Sequence, residues 1–187
     1  MRVILASKSP RRKELLRELF EKFEIKVSEV DEELEDGISV VSGVEILSVR
    51  KGAAVAAENA DALVISSDTL VELDGVALGK PCDEKEAHEM LRSLSGRAHN
   101  VHTGVAVHYR GRVFSGVATS KVFFKELSDE EIDAYVKSGA PMDKAGAYGI
   151  QGEAGKFVSR YDGDFDTIVG LSVRLTRELI EKAVAYD

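Results

Sequence analysis

The apolar run Val3-Ile4-Leu5-Ala6 predicts a short buried strand near the start of the chain. Ser9 and Pro10 follow as an N-cap and a first-turn proline, and Leu15, Leu16, Leu19, Phe20 and Phe23 then recur at helical spacing. Glu24 to Val30 reads as a second strand that ends in the acidic segment Asp31-Glu32-Glu33. A helix is expected from Gly43 to Glu58, with Val44, Leu47, Lys51 and Val55 spaced along it. Ala62-Leu63-Val64-Ile65 is continuously apolar, as in a strand buried on both faces, and is expected to end in Ser66-Ser67-Asp68-Thr69. Asp74-Gly75 between Leu70–Leu73 and Val76–Leu78 is a two-residue hairpin signal. Asp83 starts a further helix through Glu86, Met90, Leu91 and Leu94. Long strands over Val101–Val107 and Val113–Phe124 meet near Arg110-Gly111. Ser128 caps a helix carrying Ile132, Tyr135 and Val136. The glycine-rich stretch Gly139–Gly163 is expected to loop around a site, and a last helix spans Leu171–Val184.

Strands and helices mix without strict alternation, and two antiparallel hairpins are implied. The expectation is an α/β fold, a mixed sheet flanked by helices and not a doubly wound one. The 187 residues, 44% of them hydrophobic, suit one domain over residues 1–187. A net charge of −8 lacks the general attraction to phosphate backbones that a nucleic-acid binder needs, so no nucleic acid is expected as partner. An anionic small ligand would need its positive charge gathered locally. Cys82 is the single cysteine, which precludes an intrachain disulfide. No run approaches a signal peptide or a membrane span, so a cytoplasmic protein without a membrane partner is expected. Amides are scarce: Asn59, Asn100 and the lone glutamine, Gln151.

Candidate chemistry starts at the turn Ser7-Lys8-Ser9-Pro10-Arg11-Arg12, where basic side chains surround a helix start. Cations there are unfavourable unless an anion joins them, and a phosphate would suit the N–H groups, hydroxyls and guanidinium fork. The competing reading is a plain helix start whose arginines pair with Glu14 and Glu18. Asp68, after the buried run, could take a proton from water or simply shape a turn. Glu32 lies in an acidic loop, yet a Mg²⁺ site that shares substrate phosphates needs only one or two carboxylates. Lys51, Lys80 and Lys144 are each weak candidates by themselves. Gly155-Lys156 lacks P-loop spacing, and His99 and His102 sit on opposite faces of a strand, which excludes joint zinc chelation.

In series, Ala6-Ser7-Lys8-Ser9-Pro10-Arg11-Arg12, Ser67-Asp68-Thr69, Gly79-Lys80-Pro81 and Leu94-Ser95-Gly96-Arg97 resemble the motifs of the Maf family of nucleoside triphosphate pyrophosphatases. The likeness continues through Asp143-Lys144-Ala145-Gly146-Ala147-Tyr148-Gly149-Ile150-Gln151-Gly152 and Val169-Gly170-Leu171. The resemblance implies an elongated twisted mixed β-sheet, inosine triphosphatase-like, flanked by helices in two lobes with a central cleft. It implies hydrolysis of a nucleoside triphosphate to monophosphate and pyrophosphate with Mg²⁺ or Mn²⁺, and a homodimer. Carried over, Asp68 becomes the general base and shares the metal with Glu32, while Ser7, Arg11, Arg12, Lys51 and Lys80 hold phosphates. The branch resembling this chain at Arg11, Thr69 and Gln151 acts on dTTP and UTP. A 7-methyl-GTP branch resembles Trp, Gln and Glu there. The neutral carboxamide of Gln151 can match the N3–H and O4 edge of thymine or uracil. A nucleotide-binding regulator of septum formation or cell division is the alternative from another class. Ala140 and Ser172 depart from the family's usual Glu and Pro.

Overall fold

The structure, a computed structural model, describes residues 1–27 and 29–185. Its strands are β1 (Arg2–Leu5), β2 (Glu24–Ile25), β3 (Ala62–Leu73), β4 (Val76–Leu78), β5 (Ala98–Tyr109), β6 (Arg112–Phe124) and β7 (Val158–Asp162). The helices are α1 (Pro10–Leu16), α2 (Val40–Ala57), α3 (Glu84–Leu94), α4 (Asp129–Lys137), α5 (Phe165–Val169) and α6 (Val173–Val184). The seven strands form one open, mixed sheet in the order β2-β1-β3-β5-β6-β7, with β4 on β3. β1 pairs in parallel with β2 and β3, and β4 and β7 pair antiparallel with β3 and β6. The predicted mixed α/β sheet with flanking helices is the one observed.

The residues divide into two compact units. The first comprises Met1–Thr69, Thr103–Ala118 and Gly170 onward, and the second Leu70–His102 and Thr119–Val169. Within the first, side-chain alternation splits the apolar runs between two faces. Val3, Leu5, Leu63 and Ile65 pack with Leu16, Leu171 and Leu179, while Ile4, Ala6, Ala62 and Val64 pack with Val55 of α2. Both faces of β1 and β3 are therefore covered, which is why these runs are apolar without interruption. α2 lies tight on the sheet: a Cβ on Gly52 would meet Ser66 Oγ at 2.4 Å, and one on Gly104 would meet the Val44 carbonyl at 2.4 Å. In the second unit Val71, Leu73, Leu91, Leu94, Phe124, Ile132 and Phe157 form the core.

Three expectations need correction. β3 does not end at Ser66–Thr69 but runs on to Leu73. Its buried serines are satisfied by remote carbonyls: Ser66 Oγ donates to Ser48 at 2.7 Å and Ser67 Oγ to Gly170 at 2.9 Å. The second strand is only Glu24–Ile25, an exposed edge tied to β1 through Arg2, while Ser28 lies outside the described residues. The stretch Gly139–Gly163 is less irregular than expected, because it holds three 3₁₀ turns and all of β7.

Other boundaries moved less. Ser39 caps α2 at Val40, ahead of the expected Gly43. α1 stops at Leu16, where i→i+3 bonds tighten the chain, although Leu19, Phe20 and Phe23 still pack on the same core. The last helix starts later than Leu171, at Val173, because Ser172 is its N-cap and accepts from the Leu175 N–H. Asp74-Gly75 and Arg110-Gly111 form the expected hairpin turns, each with positive φ at both residues.

Candidate active site

The register of β1 against β3 sets up the site. Their pairing stops at Leu5↔Ile65, with one further bond from the Ala6 N–H to the Ile65 carbonyl at 2.7 Å. Beyond it the chain turns at Ser7 into α1, whereas β3 continues through Ser67, Asp68 and Thr69. Asp68 thus stands past the end of β1, not at the end of its own strand. Ser9 caps α1 by accepting from the Arg12 N–H at 3.5 Å, and Ser7 Oγ accepts from the Ser9 N–H at 3.2 Å. With only seven residues, α1 contributes a small dipole, so the positive potential of the turn comes mainly from its side chains.

Arg12 is the centre of that turn. Its Nε donates to the Gly170 carbonyl at 2.8 Å, Nη2 to Thr69 Oγ1 at 3.2 Å and Nη1 to Ser7 Oγ at 3.5 Å. Among the described residues, every hydrogen-bond acceptor of this guanidinium is a neutral oxygen. Removal from water pulls its pKa below the ordinary value, which the nearby negative charge of Asp68 opposes and the positive charge of Arg11 reinforces. The expected pairing of the turn's arginines with Glu14 does not describe Arg12, because Glu14 is held by Arg17 at 2.8 Å.

A second cluster lies on α2 and β3. Lys51 Nζ donates to Asp68 Oδ1 at 2.5 Å and meets Glu32 Oε1 at 2.9 Å. The Asp68 and Lys51 side chains are 12% and 19% exposed, so this ion pair is far less screened than a surface pair, whereas Glu32 is exposed. The structure therefore brings Ser7, Arg12 and Thr69 together, and Glu32, Lys51 and Asp68 together, all in the first unit. Arg11 flanks them, half-buried on α1.

Lys80 and Gln151 belong to the second unit, and both are exposed. Lys80 leaves β4 beside Gly79, whose carbonyl accepts from the Gly146 N–H at 3.0 Å and so anchors the glycine-rich stretch. Lys144 braces that stretch from inside, donating to the Ala140 carbonyl at 2.5 Å and to Asp143 at 2.6 Å. His99 and His102 go to separate partners, Tyr148 at 2.7 Å and Glu72 at 2.5 Å. A cavity of about 320 Å³ lined by Ser42, Glu45, Ile46, Val49, Arg50 and Ser115 contains none of the expected residues.

Three contributors went unnoticed among the candidate side chains: Gly170, Ser67 and Thr103. The Gly170 carbonyl receives both Arg12 and Ser67, and its φ of +132° suits glycine. Thr103 Oγ1 lies 3.0 Å from Thr69 Oγ1 and fixes the hydroxyl that Arg12 uses. The motifs Ser67-Asp68-Thr69 and Val169-Gly170-Leu171 held the sequence signal for Ser67 and Gly170, and Thr103 had none.

The family model for Maf-like protein matches residues 2–183. A Bacillus velezensis protein named dTTP/UTP pyrophosphatase is 46% identical over 181 residues, covering 97% of this chain and 96% of its own length. A Bacillus cereus protein of the same name is 48% identical over 179 residues, covering 95% and 94%. Among solved structures, the Staphylococcus aureus Ham1 protein superposes with a TM-score of 0.49 at 15% identity, covering 97% of this chain and 99% of that one. With family motifs placed at the start of α1 and on β3, and the family model matched over residues 2–183, the chain belongs to the Maf family.

Proposed function

We propose that this protein is a nucleoside triphosphate pyrophosphatase that hydrolyses dTTP and UTP between the α and β phosphates, releasing the monophosphate and pyrophosphate. The observation that carries the reading is Arg12, a desolvated guanidinium whose hydrogen-bond acceptors among the described residues are all neutral. Such a charge is costly in the free protein and favourable once an anion arrives. The relatives named dTTP/UTP pyrophosphatase supply the substrate class.

Within this reading, Ser7, Arg11 and Arg12 grip phosphate oxygens, and Lys51 and Lys80 add single ammonium charges. Asp68 takes the proton of the attacking water as the α–β bond breaks and its electron pair leaves with pyrophosphate. The chemistry needs positioning and neutralisation of developing charge more than covalent work. Residues of this chain also fit a divalent cation. Glu32 and Asp68 converge on one point of positive charge, the Lys51 ammonium. An ion held by these two carboxylates would take its remaining ligands from substrate phosphates and water. Bound there, Mg²⁺ or Mn²⁺ would supply Lewis-acid stabilisation of the polyphosphate. Gln151 supports the pyrimidine choice, since its exposed carboxamide offers one donor and one acceptor to the N3–H and O4 edge.

The test is pyrophosphate release from a panel of canonical and modified triphosphates, including 7-methyl-GTP, with Mg²⁺ or Mn²⁺. Turnover of dTTP and UTP is expected, and Asp68→Asn should lose about 10²–10⁴-fold in kcat while still binding nucleotide. Absence of turnover across the whole panel would sink the enzymatic reading. Preference for 7-methyl-GTP over UTP would sink the pyrimidine assignment alone.

A further inference from the structure

The ammonium of Lys51 sits where a divalent ion of the reading above would sit. It contacts Asp68 Oδ1 at 2.5 Å and Glu32 Oε1 at 2.9 Å, so one ammonium is shared by two carboxylates and leaves them one negative charge in excess. An ammonium and a metal ion cannot both occupy those oxygens at contact distance. The backbone under Lys51 has little freedom to relieve the conflict. Its neighbour Gly52 is pressed against Ser66 and His108, and Ser66 Oγ is bonded to the Ser48 carbonyl at 2.7 Å. The flexible four-carbon stem of the lysine is free to swing where the helix is not.

We propose that Lys51 is an exchangeable internal cation: in the nucleotide-free protein it bridges Glu32 and Asp68, and a polyphosphate that draws its ammonium away opens that bridging position to a divalent ion. The proposal rests on the pyrophosphatase reading. While Lys51 holds Oδ1 of Asp68, that oxygen is already engaged by a cation. Nucleotide and divalent ion then strengthen each other's binding, and the coupling is reciprocal by linkage. A divalent ion without nucleotide meets a site already filled.

The experiment measures Mn²⁺ binding by electron paramagnetic resonance, first with no nucleotide present. The proteins are wild type, Lys51→Met, Lys51→Gln and the double variant Glu32→Gln/Asp68→Asn, each checked for folding by circular dichroism. Both lysine variants should bind Mn²⁺ at least about tenfold more tightly than wild type, a gain that a merely structural role for Lys51 would not produce. The double variant should lose that binding. Addition of a dTTP analogue with a methylene bridge between the α and β phosphorus atoms should tighten Mn²⁺ binding by a larger factor in wild type than in Lys51→Met. Equal or weaker Mn²⁺ binding in both lysine variants overturns the internal-cation role, as do equal factors with the analogue. Mn²⁺ binding that survives in the double variant overturns the metal-site reading instead, and absence of binding in every protein overturns both.

Discussion

Replacing Arg12 with methionine separates the cost of holding a charge from the benefit of using it. The substitution removes hydrogen bonds to Gly170 O at 2.8 Å, Thr69 Oγ1 at 3.2 Å and Ser7 Oγ at 3.5 Å. None of these acceptors is orphaned. Gly170 O keeps Ser67 Oγ at 2.9 Å, Thr69 keeps Thr103 at 3.0 Å, and Ser7 keeps the Ser9 N–H at 3.2 Å. The lost bonds, about 1.5–3 kcal/mol each with a charged donor, are set against a desolvation penalty of several kcal/mol for the guanidinium. These terms oppose, and the methionine retains much of the apolar stem, so stability of the nucleotide-free protein should move by about 1 kcal/mol or less. Catalysis has no such compensation. Loss of one preorganised donor to developing charge costs roughly 3–4 kcal/mol, about 10²–10³ in rate. The assay pairs urea unfolding without nucleotide with kcat/KM for pyrophosphate release from dTTP. Arg12→Lys should recover little, because a point charge does not replace the fork. Retention of kcat/KM within tenfold would refute the phosphate role. A stability loss above about 3 kcal/mol would show that Arg12 is a structural strut, contrary to the bond-by-bond reasoning.

Burial pulls the His99 imidazole down to about 4, well below its ordinary 6.5. The unfolded chain therefore takes up the proton first as pH falls, and the stability His99 contributes is complete above about 6.5 and lost towards 4. The loss amounts to about 3 kcal/mol, visible as the difference in urea midpoints between wild type and His99→Gln across that window; parallel pH profiles would contradict it. Gly170→Ala should lower stability by about 1–3 kcal/mol from its positive φ. A Cβ there would also stand 3.4 Å from Arg12 Nε and 3.6 Å from Thr69 Oγ1, so kcat/KM should fall with it. Thermal melts and dTTP turnover check both effects, and an unchanged melt would show that the backbone tolerates a side chain at this position.

Elements defined by local chemistry were legible in the chain itself. Ser9-Pro10 announces α1, Asp74-Gly75 announces the β3–β4 turn, and Ala62–Ile65 is apolar because α2 and the core around Leu171 cover both its faces. The continuation of β3 through Ser66–Thr69 was not legible, since the carbonyls that satisfy Ser66 and Ser67 come from Ser48 and Gly170. β7 was hidden for a different reason: its residues are mostly exposed, so no alternation marks them. In the candidate site, the residue types at Arg12, Lys51 and Asp68 were visible, but their division of labour was not. A lysine on the apolar side of a helix gives no sign that two carboxylates, from Glu32 and from a strand, meet its tip.

The carbonyl of Gly170 has a bearing on the order in which the protein folds. The Nε acceptor of Arg12 lies 158 residues further along the chain. Contacts of such separation form late, after much loop entropy has been spent. Arg12 on α1 lacks its Nε acceptor until the segment before α6 has docked against it. A chain cut ahead of Gly170 would therefore lack the Nε acceptor of Arg12, and the guanidinium would lose its longest-range anchor.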